Sequence, residues 1–178
     1  MKKINVKKLA VAGMFTALAV ILSAFSIPIG ASKCFPVQHM VNVLSAVILG
    51  PFYGLGIAFC TSLIRNLLGT GTLLAFPGSM VGALLAGIAY DKLKKIIPTC
   101  IAEVLGTGIL GGMLSYPIAS FIMGREAALF TYVIPFLVST VGGSIFAAIL
   151  IFVFKKTGAL YYMQHALNEN ELMKKAKA

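Results

Sequence analysis

From His39 to Leu68 the chain reads HMVNVLSAVILGPFYGLGIAFCTSLIRNLL, an apolar tract whose one permanently charged residue is Arg65. A membrane-spanning helix needs about 20 mostly apolar residues. The tract is too long for one such helix, so the break at Gly50-Pro51-Phe52-Tyr53-Gly54 decides the fold. A Gly-Pro step starts a turn. The reading is two short helices, 38–50 and 52–68, and the parity of the whole chain follows from it.

Outward from this tract the same pattern repeats. Upstream, Leu9–Ile27 is the first helix, with Pro28 just after it. Its apolar run follows Lys2, Lys3, Lys7 and Lys8 as a secretory signal would, but it continues to about Ile29 and outruns the roughly 7–15 residues of a signal core. It reads as a retained helix. Residues 28–38, with Gly30, Ser32, Lys33 and Pro36, form a polar-leaning loop. Downstream, Gly69-Thr70-Gly71-Thr72 is too flexible for a helix interior. Helix four then runs from Pro77, a favourable first-turn proline, to Tyr90. Asp91–Lys95 is a charged turn. Helix five covers 98–123, Gly124-Arg125-Glu126 is a tight exit, and helix six covers 129–154 before Lys155-Lys156. The expected fold is an all-α membrane protein, a six-transmembrane-helix bundle over residues 1–157, followed by a polar cytoplasmic tail, 158–178.

Composition supports a lipid environment. Apolar residues make up 59% and charged residues 11% of the chain, against about 45–50% and about 25% in soluble domains. The net charge of +10 is therefore read by position rather than as a sign of nucleic acid binding. With six spans, the N-terminus, the 50–54 turn, the 91–95 turn and the tail share one side. They hold Lys2, Lys3, Lys7, Lys8, Lys92, Lys94, Lys95, Lys155, Lys156, Lys174, Lys175 and Lys177, or 12 of the 15 basic residues. The positive-inside rule then places both termini in the cytoplasm, and a five-helix alternative fits worse. Cys34, Cys60 and Cys100 lie far apart with no C-x-x-C spacing and read as small packing residues. Trp is absent, so any interfacial aromatic belt rests on Tyr and Phe.

Helices two and four, at about 13–14 residues, reach only about 20 Å, short of a bilayer core of about 30 Å. The loops 28–38 and 69–76 must then descend into the protein. Both lie on the outer side, which implies an outward-facing pocket, since irregular backbone at membrane depth lines a cavity or is buried in protein. Polar residues map to the same outer third: His39 and Asn42 on one face of helix two, Arg65 and Asn66 on helix three, Ser79 at the start of helix four behind Phe76-Pro77-Gly78, then Tyr116 and Tyr132. A few polar groups on an apolar lining are what a small-molecule site requires. Each has a plainer reading as well. Arg65 could tie a loop down, Ser79 could cap its helix, and the tyrosines could anchor at the interface. Glu103 is expected near the cytoplasmic side, beside Lys94 or Lys95 or against a partner, with proton coupling a further option. Small residues at four-residue spacing (Gly13 and Ala17; Gly78, Gly82 and Ala86; Gly108 and Gly112) let helices approach closely. The first pair is either packing or a stripe offered to another subunit.

The sequence has no nucleotide-binding P-loop, no metal-ligand set and no catalytic grouping, so no cofactor and no enzymatic activity are expected. No inverted repeat is visible, which disfavours a stand-alone transporter or channel. That remains the alternative reading, ahead of a small membrane enzyme.

The runs His39–Gly54, Thr61–Gly71, Leu74–Met80, Glu103–Gly108 and Ser115-Tyr116-Pro117 resemble the ThiW family across about residues 5–157. ThiW proteins are similar to the S components of energy-coupling factor transporters. That resemblance implies a substrate-capture subunit in the bacterial plasma membrane, working with a coupling module of one transmembrane protein and two ATPases. The implied substrate is the thiamin precursor hydroxyethylthiazole. The resemblance also implies that Gly13 and Ala17 meet the coupling protein, with Gly13 where Ala is more usual. On such a ligand, Phe35, Phe76 or Tyr116 could stack, and His39, Asn42 or Asn66 could hydrogen-bond the ring nitrogen and hydroxyl. An unphosphorylated thiazole offers Arg65 no charge, so its expected role is loop fixing or hydroxyl recognition.

Overall fold

Helix α1, Val6–Leu22, starts at Asn5, whose side chain accepts from the Lys8 N–H. A short antiparallel hairpin follows, β1 (Ile27–Ile29) and β2 (Ser32–Cys34), with Ile27 opposite Cys34 and Pro28 opposite Lys33. The chain then forms α2 (Pro36–Ile48), α3 (Pro51–Leu67), α4 (Ala75–Leu93), α5 (Ile96–Ile122), α6 (Val133–Lys156) and α7 (Ala159–Lys175). The computed structural model describes residues 5–29 and 32–175. Gly30 and Ala31 of the first loop, and Lys2, Lys3 and Lys177 of the positional charge count, lie outside the described residues.

The first helix ends at Leu22, short of the expected Ile27, and the strands Ile27–Ile29 and Ser32–Cys34 take up its expected last residue and part of the expected loop 28–38. Cys34 Sγ donates to Pro135 O (3.1 Å) and the Phe35 N–H to Ser139 Oγ (2.7 Å), which fastens the hairpin to α6. The Gly50-Pro51 break falls where the sequence places it. Gly50 has φ +90°, a backbone state that residues with a Cβ rarely adopt, and Pro51 opens α3. Helix four differs from expectation. It has 19 residues, Ala75–Leu93, and measures about 28 Å, so it is not short. The first four N–H groups of a helix have no internal partner, so Pro77 sits in the third position at no cost. The expected charged turn instead extends the helix until Lys94, at φ 51°, ends it. Only α2, with 13 residues, stays at about 20 Å.

From α2 to α6 successive helices run antiparallel, as the pairings of Gly87 with Pro51, Gly111 with Gly78 and Gly112 with Val133 show, which gives the bundle a hairpin end and a tail end. Helix α2 is central, packed by α1, α3, α4, α5 and α6, and its apolar residues Val41, Val43, Leu44 and Val47 are all buried. Helices α4 and α5 approach until their backbones nearly touch. A methyl placed on Gly106 would lie 2.8 Å from Gly82 Cα, and one on Gly111 would lie 2.6 Å from Gly78 Cα. Within α5, Val104–Gly111 and Ile118–Ile122 wind in wide π-helical turns. The second follows Pro117, which has no N–H to give.

Helices α5 and α6 are long and apolar enough to cross a membrane. Large apolar side chains on them, among them Ile97, Ile101, Phe121, Phe146 and Phe152, face outward. An exposed apolar surface of this extent marks a lipid or partner environment. At the tail end α7 folds back on the bundle. Leu160 and Leu167 join the core cluster of Val47, Ile48 and Tyr90. Gln164 donates to Val47 O at 2.8 Å, and Asn5 donates to Leu167 O at 2.7 Å.

Candidate functional site

Beneath the hairpin lies a narrow, half-open cleft with a cavity volume of about 40 Å³. Its wall is built from first and last helical turns. Gln38 and His39 come from α2, Arg65 from the end of α3, Ala75, Gly78 and Ser79 from the start of α4, and Phe136 and Ser139 from α6. Lys33 and Phe35 close it from the hairpin, and Thr72 and Leu74 from the α3–α4 loop. The short α2 makes this possible. Its first turn, which carries the polar side chains, begins below the hairpin instead of at the surface.

A continuous polar network runs down from the cleft. Arg65, fully buried, donates through one terminal nitrogen to Gln38 Oε1 and through the other to Thr70 O at 3.4 Å. The Phe35 ring lies 3.7 Å from the guanidinium carbon, a cation–π contact. Gln38 donates to Ser62 Oγ (3.5 Å), and Ser62 Oγ lies 3.0 Å from Ser79 Oγ. Ser79 donates to Ala75 O at 2.7 Å, so it lies inside α4 and does not cap it. Asn42 then bridges Ser79 O (3.2 Å) and Glu103 Oε1 (3.0 Å).

Glu103 anchors the lower end of this network. Besides Asn42, its Oε1 lies 3.0 Å from His39 Nδ1 and accepts from Thr107 at 3.0 Å. The carboxylate is fully buried. It therefore pairs with His39 across the bundle, and the expected pairing with Lys94 or Lys95 is not made. Lys94 instead meets Asp91 at 3.3 Å. Charges inside a bundle are costly unless paired and hydrogen-bonded, and Oε1 meets that demand. Oε2 has no partner among the described residues.

Of the residues singled out from sequence, His39, Arg65 and Ser79 line the cleft, and Asn42 lies directly beneath them. Asn66 does not line it. Asn66 donates to Ser62 O (2.8 Å) and Thr72 O (3.0 Å) and so holds down the α3–α4 loop. The N–H groups of Thr70 and Gly71, both 2.9 Å from Arg65 O, hold the same loop. The Phe76 ring packs on Phe59, centroids 5.7 Å apart, on the outer face of the bundle. Tyr116 is half-buried and outside the lining. Tyr132 is buried in an apolar cluster with Leu74 and Ala119, and its ring meets that of the lining residue Phe136 at 6.4 Å.

Gln38, Lys33, Phe136 and Ser139 belong to the wall but were not singled out. Gln38 was discoverable, because it precedes His39 on the same short helix. Ser139 is one of several small polar residues, with Thr140 and Ser144, in an otherwise apolar run, and nothing in the sequence sets it apart from them.

The first of the three small-residue stripes differs from the other two. Gly78, Gly82 and Gly108 face neighbouring helices, whereas nothing lies within 4 Å of a methyl built on Gly13. Ala17 is likewise exposed, beside Met14 and Leu18.

The family model described as thiamine-precursor transporter protein (ThiW) matches residues 9–157 of the chain. No curated protein matches it.

Proposed function

The chain belongs to the ThiW family of thiamine-precursor transporters, and we propose that it is the substrate-capture subunit of an energy-coupling factor importer. In this reading six helices cross the bacterial plasma membrane, both termini are cytoplasmic, and the hairpin end faces outward. The cargo is a thiazole precursor of thiamin, hydroxyethylthiazole or a close derivative. The observation that supports a capture site is the cleft itself. Buried Arg65, Gln38, His39 and Ser79 share a wall with apolar Phe35, Leu74 and Phe136, and their hydrogen bonds connect them to one another and to Glu103.

The geometry suits a flat heteroaromatic ring. Phe35 and Phe136 flank the space, and an aromatic face can stack on either. His39 and Ser139 both bring polar side chains to the lining. The α3–α4 loop is tied through Arg65 and the hairpin through Ser139, so each cover of the cleft is fixed by a residue of its lining, with Asn66 adding a second tie to the loop from outside. The exposed Gly13 and Ala17 stripe leaves room for close approach of a transmembrane partner, here the coupling protein, whose two ATPases would supply the energy.

The test is titration of purified protein with hydroxyethylthiazole and a panel of other vitamin precursors. Saturable binding at micromolar concentration, selective for the thiazole, is expected, and its absence refutes the substrate. Uptake by the chain alone in liposomes, with no ATPases present, would instead establish a stand-alone transporter.

A further inference from the structure

The guanidinium of Arg65 is an unbalanced cation. It is fully buried and makes no ion pair among the described residues; the carboxylate of Glu103, at the far end of the polar network, is engaged by His39, Asn42 and Thr107. A guanidinium carries five N–H donors. Those of Arg65 meet one side-chain amide and one carbonyl at 3.4 Å, and Nε has no partner. The remaining charged lining residue, Lys33, is also a cation, and among the described residues no Asp or Glu borders the cleft. Ser139 Oγ already accepts from the Phe35 N–H, which leaves its hydroxyl proton free to donate. The wall therefore offers positive charge and unspent donors without a matching acceptor. A buried charge of this kind is stable only when paired, and the planar guanidinium edge matches the spacing of two oxygens on a phosphate or carboxylate.

We propose that the molecule taken into this cleft presents an anionic oxygen group, a phosphate monoester or a carboxylate, to Arg65. This inference rests on the cleft being the capture site, and it specifies the chemical form of the cargo. A thiazole alcohol alone leaves Nε without its counter-charge. The phosphate ester or the corresponding acid supplies it, and Lys33 at the mouth draws the same group inward.

The experiment compares three probes on purified wild-type protein by calorimetry: hydroxyethylthiazole, its phosphate monoester, and the analogue in which a carboxylate replaces the alcohol. One or both anions should bind about 10- to 100-fold more tightly than the alcohol, the range of a charge-assisted hydrogen bond. The preference should weaken with added salt. Arg65→Gln should erase the preference, so that the anions bind no more tightly than the alcohol, and Arg65→Lys, which keeps the charge, should retain part of it. Whichever anion binds better identifies the group. If the alcohol binds as well as both anions, the inference is overturned while the capture reading stands. If none of the three binds, both fall. The wild-type comparison decides the matter even if Arg65→Gln fails to fold.

Discussion

Gly82→Ala is expected to destabilise the bundle, whereas Gly13→Ala is not. Both changes add one methyl to a helix, and both gain the same intrinsic helix preference, up to about 1 kcal/mol. They differ in what the methyl meets. At Gly13 it finds no atom within 4 Å. At Gly82 it collides with Thr107 Oγ1 and comes within 2.6 Å of Glu103 Oε2 and 2.9 Å of Glu103 Cδ. Neither side chain can yield easily, because both are fully buried and hydrogen-bonded to each other at 3.0 Å. Overpacking of this kind costs about 1–3 kcal/mol. Moving Glu103 strains its bonds to Asn42 and His39, at about 1 kcal/mol for each one lost. After the propensity gain, the net loss for Gly82→Ala is about 1–3 kcal/mol. For a chain of this size that lowers the melting midpoint by about 3–10 °C. Thermal unfolding in detergent can be followed with a thiol-reactive fluorophore. The chain has no Trp, but Cys34 is buried and Cys100 is half-buried, so both react on unfolding. A Cys60→Ser background removes the exposed thiol. If Gly82→Ala melts at or above the parent, or Gly13→Ala falls as far as Gly82→Ala, the close α4–α5 approach does not hold the bundle as argued.

His39→Ala and Asn66→Ala should each weaken binding of the thiazole probe by about fivefold, the equivalent of one net hydrogen bond. The first removes part of the wall and the second releases Thr72; normal calorimetric affinity in both would show that the ligand sits elsewhere. Glu103→Ala should cost about 3–5 kcal/mol by leaving His39 and Asn42 without their acceptor. Glu103→Gln, which keeps the shape and one acceptor, should cost less than half of that in the same melt, and equal losses would contradict the assignment. Gly13→Leu should abolish co-purification with the coupling protein while leaving the melting midpoint unchanged, and an undiminished yield of complex would place that interface on another helix.

Much of the helix order was legible because punctuation in this chain is strong. Gly50-Pro51 divides a continuous apolar tract, and Lys155-Lys156 closes α6 where the apolar run ends. The start of α4 was misread by two residues because a proline in any position of the first turn is equally cheap, so Pro77 does not mark the cap. The wide turns of α5 were not legible, since the glycines that permit them look the same as glycines that serve packing. Within the site, His39, Arg65 and Ser79 stood out as polar groups in an apolar setting. Glu103 stood out too, but its partner did not, because 64 residues separate it from His39. Their meeting depends on how deep the short α2 starts. Phe76 was misjudged as a stacking residue because nothing in a helical sequence shows which face of α4 meets α3.

The enclosure of α2 has a consequence for how the protein is made. Ten of its thirteen residues are buried, Gln38, His39, Asn42 and Ser45 among them, so none of its faces is suited to lipid. Apart from α1, the helices that surround it leave the ribosome after it does. At that stage a segment so short and so polar partitions poorly into a bilayer by itself. Its stable insertion must wait for α3, joined to it through Gly50-Pro51, and finally for α6, whose Gly143 lies against Pro36 and His39. A nascent chain that stops before Val133 would therefore present its polar axis to lipid, the kind of exposed surface by which a membrane protease could recognise an unfinished product.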